Sequence, residues 1–169
     1  MDLNKLGAGE LPDKVNVFIE IPKGSSVKYE IDKESGVIMV DRFVYGPLFY
    51  PYNYGFIPGT HAEDGDALDV AVLSTYPVQT GTAIVCRIIG MLEMEDEEGI
   101  DTKIIAVPTK KIDPFMAEIE TIDDVPDMVK QQLKNYFDTY KDLEPNKWVK
   151  TKDFLGKDAA IEAIKKSME

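Results

Sequence analysis

Asp64-Gly65-Asp66-Ala67-Leu68-Asp69-Val70-Ala71-Val72-Leu73 couples a carboxylate cluster to an apolar run, and its reading decides the fold. Val70 to Leu73 is a short, wholly apolar stretch, the pattern of a buried strand. Three acids lie at its mouth, with no Lys or Arg among them. Like charges packed this closely raise one another's energy unless cations sit between them. Oxygen-only ligands favour a hard divalent ion such as Mg²⁺ or Mn²⁺. Just upstream, Phe49-Tyr50-Pro51-Tyr52-Asn53-Tyr54-Gly55-Phe56-Ile57-Pro58-Gly59 is too broken by Pro and Gly for a helix. It reads as a shaped loop and short strand that can place phenol hydroxyls beside the acids.

Outward from this centre, the chain alternates in period two. Residues 15–21 read as a strand ended by Pro22, and residues 27–31 and 37–42 read as a hairpin around the loop 32–36. Downstream, residues 69–74 and 83–92 are apolar strands joined by a turn at Pro77 and Gly81. Residues 93–101 read as an acidic hairpin tip around Gly99, and residues 103–107 return as a strand. The tail is helical. Val125, Val129, Leu133, Tyr136, Phe137 and Tyr140 recur at steps of three and four, after a cap at Thr121 and an early Pro126. Residues 157–167 form a second helix, and residues 1–14 a polar arm or short helix. Short strands followed by helices predict an α+β, mainly β architecture: a small β-barrel with packed helices, one domain over residues 1–169.

Composition narrows the function. A formal charge of -12 argues against nucleic acid and anionic membrane as partners, because both need basic surface. It also means that an anionic substrate must be drawn in by local cations. The single cysteine, Cys86, lies in an apolar run and reads as a buried, inert thiol, which fits a reducing, cytoplasmic setting. No apolar stretch reaches transmembrane length, and the N-terminus shows no secretory signal.

The charged residues fall into pairs. Asp64 and Asp66 share a face in an extended segment, and Asp69 follows. Asp96, Glu97 and Asp101 form a second acidic group, and Glu20 and Glu30 sit in mid-strand, where acids are unexpected. Lys28 shares a strand face with Glu30, Lys103 shares one with Asp101, Arg42 adjoins Asp41, and Lys141 follows Tyr140. Carboxylates can hold metals while metals and cationic side chains share phosphate oxygens, so the pattern points to a metal-dependent phosphoryl hydrolase. A structural calcium loop is the alternative, but the EF-hand template fails: Leu68, Asp69 and Thr75 stand where it needs a ligand, Gly and Glu. His61, the sole histidine, reads as a surface residue. An OB-type module binding nucleic acid or protein is a further alternative, against which stand the net charge and the lack of basic-aromatic interleaving.

Ile19-Glu20-Ile21-Pro22, Lys28-Tyr29-Glu30, Asp41-Arg42, Tyr50-Pro51-Tyr52-Asn53-Tyr54-Gly55, Asp64-Gly65-Asp66-Ala67-Leu68-Asp69-Val70 and Tyr140-Lys141-Asp142-Leu143 together resemble the family I soluble inorganic pyrophosphatases of the short bacterial and archaeal type. The likeness runs from about residue 15 to residue 150. Ala67 stands where that family usually has Pro, which leaves the loop less pre-organised. The resemblance implies an OB-type five-stranded β-barrel with flanking helices, assembled as a homohexamer. It implies an inorganic diphosphatase that hydrolyses pyrophosphate to two orthophosphates by direct attack of a metal-activated water, with several Mg²⁺ ions, or Mn²⁺ in their place. By resemblance, Asp64, Asp69, Asp96 and Asp101 are metal ligands, with Glu97 near, and Asp69 bridges two ions. Glu20 and Glu30 match acids that line the cavity. Asp66 matches the group that takes a proton from the attacking water. Lys28, Arg42, Tyr54, Lys103, Tyr140 and Lys141 match the phosphate-binding set.

Overall fold

The computed structural model describes residues 2–168. Among the described residues there are nine strands: β1 (Val15–Ile21), β2 (Val27–Ile31), β3 (Ile38–Phe43), β4 (Asn53–Phe56), β5 (Asp69–Val72), β6 (Thr82–Asp96), β7 (Gly99–Ile100), β8 (Lys103–Pro108) and β9 (Val149–Gly156). The helices are α1 (Leu3–Leu6), α2 (Asp127–Thr139) and α3 (Lys157–Lys166), with short 3-10 turns at Pro114–Met116 and Ile122–Asp124. The order β1-β4-β5-β8-β6 closes on itself through a β1–β6 pairing, so five strands make a ring, as the OB-type reading predicts. Every pairing in the ring is antiparallel except β5 with β8.

The apolar runs of β5 and β8 follow from burial on both faces. Val70, Val72, Ile104 and Ala106 face a core that takes Ala160 and Ile164 of α3. Ala71, Ile105 and Val107 face the opposite core, which takes Leu133, Tyr136 and Phe137 of α2. Each fully buried Leu or Phe contributes about 1.5–3 kcal/mol. The aromatic run belongs to this second core: Tyr52 stacks on Phe137 at 5.4 Å and meets Tyr136 edge-on at 5.9 Å. That packing fixes the end of α2, where Tyr140 and Lys141 emerge.

β6 serves two neighbourhoods. Its first half pairs with β1, its middle with β8, and its second half with β9. Register shifts at Ile88/Gly90 and Leu92/Met94 let so long a strand bend around the barrel. β4 approaches β1 so closely at Gly55 that a Cβ there would lie 1.9 Å from the Phe18 carbonyl oxygen. Backbone cannot yield as a flexible side chain can. Gly55→Ala is therefore expected to lose about 3 kcal/mol or more in urea unfolding. A variant as stable as the parent would show that the two strands can separate there.

Three sequence expectations need correction. Residues 93–96 are not part of a loop: they complete β6, held by β9 on one side. Thr121 does not cap α2. Its backbone N–H and that of Glu120 both donate to Asp124, closing the Ile122–Asp124 turn, and α2 starts after Pro126. β9 was not expected at all, because Lys150, Lys152 and Asp153 give it the polarity of a loop. It is stabilised by pairing to β6, and by Thr151 bonding Asp138 of α2 through both its N–H and its hydroxyl.

Candidate active site

The mouths of β5 and β8 lie side by side because the two strands run parallel, Val70 opposite Ile104. Asp69 and Lys103, one residue earlier on each strand, therefore meet. Lys103 Nζ lies 2.5 Å from Asp69 Oδ2 and 2.7 Å from Asp101 Oδ1, and it donates to the Tyr54 hydroxyl at 2.9 Å. Lys103 is 3% exposed. Burial works against its charge, but Asp69 and Asp101 outweigh burial and hold the ammonium protonated well above the usual range. Burial pushes the Asp101 carboxyl up, with Lys103 opposing. The Tyr54 and Tyr140 hydroxyls are also pushed up by burial and stay neutral.

A second group gathers at the far end of β6. Asp96 closes that strand and receives Lys141 Nζ at 3.0 Å, while its other oxygen accepts the Glu98 N–H at 2.9 Å. Glu97 lies 2.9 Å from Lys147 Nζ and 3.7 Å from Lys141 Nζ. Burial opposes its charge, but Lys147, backbone N–H groups and Lys141 bring its carboxyl down to about 2. The β2–β3 hairpin supplies the third side. Lys28 Nζ lies 3.1 Å from Asp41, and Arg42 pairs with Asp41 and with Glu144.

These groups line one cavity of about 450 Å³. Lys28, Arg42, Tyr54, Asp64, Asp69, Asp96, Glu97, Asp101, Lys103, Tyr140 and Lys141 all belong to its wall. The sequence drew them from six separate stretches. Glu63, Glu98, Glu144 and Lys147 also line it and were not singled out as site residues. Lys147 was visible only as a cation beyond a helix, and Glu144 gave no signal, since its partner Arg42 lies 102 residues away.

Three expected site residues do not form that wall. Asp66 stands exposed on the loop before β5, ion-paired with Lys33 of the β2–β3 turn. Its backbone N–H donates to Asp64 Oδ1 at 2.9 Å, so the two acids are tied in one turn but point apart. Glu30 is exposed and pairs with Lys28 at 3.3 Å. Glu20 is turned toward β2, where its Oε1 accepts the Ile31 N–H at 2.8 Å. Among the described residues, no three acidic, His or Cys side chains converge into a ready-made metal cage. Lys103 occupies the space between Asp69 and Asp101.

Glu20 carries a pH signature. Burial raises its carboxyl from 4.5 to about 7; the Ile31 N–H opposes this and Asp69 adds to it. The folded state thus binds this proton more tightly than the unfolded state. The contribution to stability is complete below pH 4.5 and is lost as pH rises through about 7. Glu20→Gln keeps the acceptor and removes the titration. In chelator, the variant is expected to gain about 3 kcal/mol on the parent between pH 4.5 and 8, read by urea unfolding. A stability gap independent of pH would contradict this placement of Glu20.

Comparison with known proteins agrees with the geometry. A family model described as inorganic pyrophosphatase matches residues 17–169. The chain is 53% identical over 169 residues to an inorganic pyrophosphatase of Campylobacter jejuni, covering 100% of this chain and 98% of that one. It is 54% identical over 158 residues to one of Aquifex pyrophilus, covering 94% and 89%. Among solved structures, the inorganic pyrophosphatase of Helicobacter pylori superposes with a TM-score of 0.94 at 49% identity, covering 97% and 96%. That of Thermus thermophilus gives 0.95 at 44% identity, covering 99% and 97%. A closed five-stranded barrel, a cavity walled by acids and lysines, and likeness over the whole chain lead to one conclusion: the chain belongs to the inorganic pyrophosphatase family.

Proposed function

We propose that this protein is an inorganic diphosphatase, hydrolysing pyrophosphate to two orthophosphates by direct attack of water with divalent ions, Mg²⁺ foremost. The observation that carries the reading is the mixed wall of the 450 Å³ cavity: eight carboxylates and five Lys or Arg side chains around one space. A phosphate anion alone would be repelled by that surplus of acid. Divalent cations between acid and phosphate would remove the repulsion.

The donor set fits such ions. It is all oxygen, as hard cations require, and the carboxylates outnumber the ammonium and guanidinium groups that face them in the cavity. Asp64, Asp69, Asp96 and Asp101 would hold the ions, with Glu97 in support. When bound, divalent ions make a water acidic and take up charge on phosphoryl oxygens.

The chain's own residues supply the rest. Lys28, Arg42, Lys141 and the Tyr140 hydroxyl would grip the phosphoryl oxygens, and Lys103 with Tyr54 anchors the inner end. Preset cations aimed at charge that grows in the transition state need no reorganisation as it forms. Asp66 would accept the proton of the attacking water on a side-chain oxygen, once released from Lys33; the turn that ties it to Asp64 keeps it within one loop of the cavity. Glu20 and Glu30 would act on charge balance from behind Asp69 and Lys28. Water would be the nucleophile, so no covalent intermediate is needed, and no Ser, Cys or His lines the cavity to form one.

The chain would act as one domain over residues 1–169 and assemble as a homohexamer. Tyr76 and Phe115, both exposed, meet edge-on at 6.5 Å and form an apolar surface pair that would favour association between copies. A cytoplasmic setting is supported by the single, buried, free thiol of Cys86. Among the described residues, no helix is long and apolar enough to cross a membrane. The test is steady-state phosphate release from pyrophosphate and from ATP with Mg²⁺, Mn²⁺ and Co²⁺. Pyrophosphate with Mg²⁺ is expected to be turned over fastest; preference for ATP, or no release from either, would overturn the reading.

A further inference from the structure

Arg42 is carried by a hairpin outside the five-strand ring. Among the described residues, β2 and β3 form strand ladders only with each other. The hairpin is tied to the rest of the fold at its base, where the Gly24 N–H donates to the Tyr50 carbonyl at 2.8 Å and the Tyr50 N–H to the Ser25 carbonyl at 2.9 Å, and at Ile31, whose N–H donates to Glu20 of β1 at 2.8 Å. None of these ties reaches the Arg42 side chain; Glu144 does. Arg42 Nε lies 3.1 Å from Glu144 Oε1, and Nη2 donates to Oε2 at 3.2 Å, a side-on pairing across 102 residues. Both side chains are mostly buried, at 24% and 11% exposed.

Glu144 is itself fixed. Its backbone N–H donates to the Lys141 carbonyl at 2.9 Å, so Glu144 and Lys141 share one turn beyond α2. α2 is packed into the aromatic core, and Tyr136 stacks on Tyr140 at 5.3 Å. A rigid path thus runs from the barrel through α2 to Glu144, and from Glu144 to Arg42. Guanidinium has five N–H donors. Glu144 faces Nε and takes one N–H of Nη2, and Asp41 takes one of Nη1. One N–H on each terminal nitrogen remains for phosphate oxygens.

We propose that Glu144 is a positioning residue: it locks Arg42 to the turn that presents Lys141, and so sets the spacing between two cations that grip phosphoryl oxygens of the substrate. This rests on the pyrophosphatase reading and goes beyond it by naming what holds the Arg42 grip in place. A guanidinium held by a carboxylate fork keeps one orientation, where a free one would sample many.

A double-mutant cycle with pyrophosphate and Mg²⁺ tests it. Glu144→Ala and Glu144→Gln are expected to raise KM on the order of tenfold, more than they lower kcat. Glu144→Asp, which keeps the charge on a shorter arm, is expected to recover part of that loss. In the Arg42→Ala background, Glu144→Gln is expected to add no further rise in KM. Gln is isosteric, so it serves if Ala fails to fold. An unchanged KM in Glu144→Gln, or the same rise with and without Arg42, would overturn the proposal. Failure of the parent to release phosphate from pyrophosphate would instead overturn the activity on which it rests.

Discussion

Asp69→Asn is expected to lose turnover on the order of a hundredfold while keeping the fold. The substitution is isosteric, and the backbone of Asp69 stays paired with Phe56 of β4. What it removes is charge at the mouth of β5. Asp69 faces Lys103 Nζ at 2.5 Å, and under the proposed function it would also help to hold divalent ions. A neutral amide cannot replace a carboxylate in either role. Lys103 would keep Asp101 as its remaining carboxylate, so the stability loss should stay near 1–3 kcal/mol. The checks are kcat for phosphate release and urea unfolding of both proteins. Near-normal turnover would show that the Asp69 charge is not used in the reaction.

Lys103→Met is expected to have the larger effect on stability. The ammonium is 3% exposed and is the cation shared by Asp69 and Asp101. Without it, two carboxylates confront each other in a half-buried space. Removing one member of such a network costs about 3–5 kcal/mol when charge is left without compensation. Divalent ions can supply the missing charge. Mg²⁺ is therefore expected to raise the melting temperature of the variant more than that of the parent. Equal shifts in the two proteins would show that the Asp69–Asp101 pair does not attract the added cation. Turnover should fall as well, since the variant loses the charged anchor beside Tyr54.

The barrel strands were legible because their apolar residues alternate or run unbroken. Val15, Val17 and Ile19 mark one face of β1, and the run of β5 reflects burial on both sides. α2 was legible through Leu133, Tyr136 and Phe137 on one stripe. β9 was not, because what holds it is pairing to β6 rather than its own pattern. The site was legible where type and spacing coincide, as at Asp64 to Asp69 or Lys141 after Tyr140. It was not legible where partners come from distant elements. No local pattern relates Arg42 to Glu144, or Glu97 to Lys147. Orientation was also hidden: Asp66 shares a segment with Asp64, yet Gly65 at φ 85° turns the chain and Lys33 draws Asp66 outward.

Single-turnover and steady-state phosphate release from pyrophosphate, measured with Mg²⁺, after chelation, and after Mg²⁺ is restored, tests whether acids from separate strands act by holding divalent cations against phosphate. The predicted result is rapid release with Mg²⁺, near-complete loss in chelator with the fold intact, and full recovery on restoring the ion. Release that persists undiminished after chelation would contradict it.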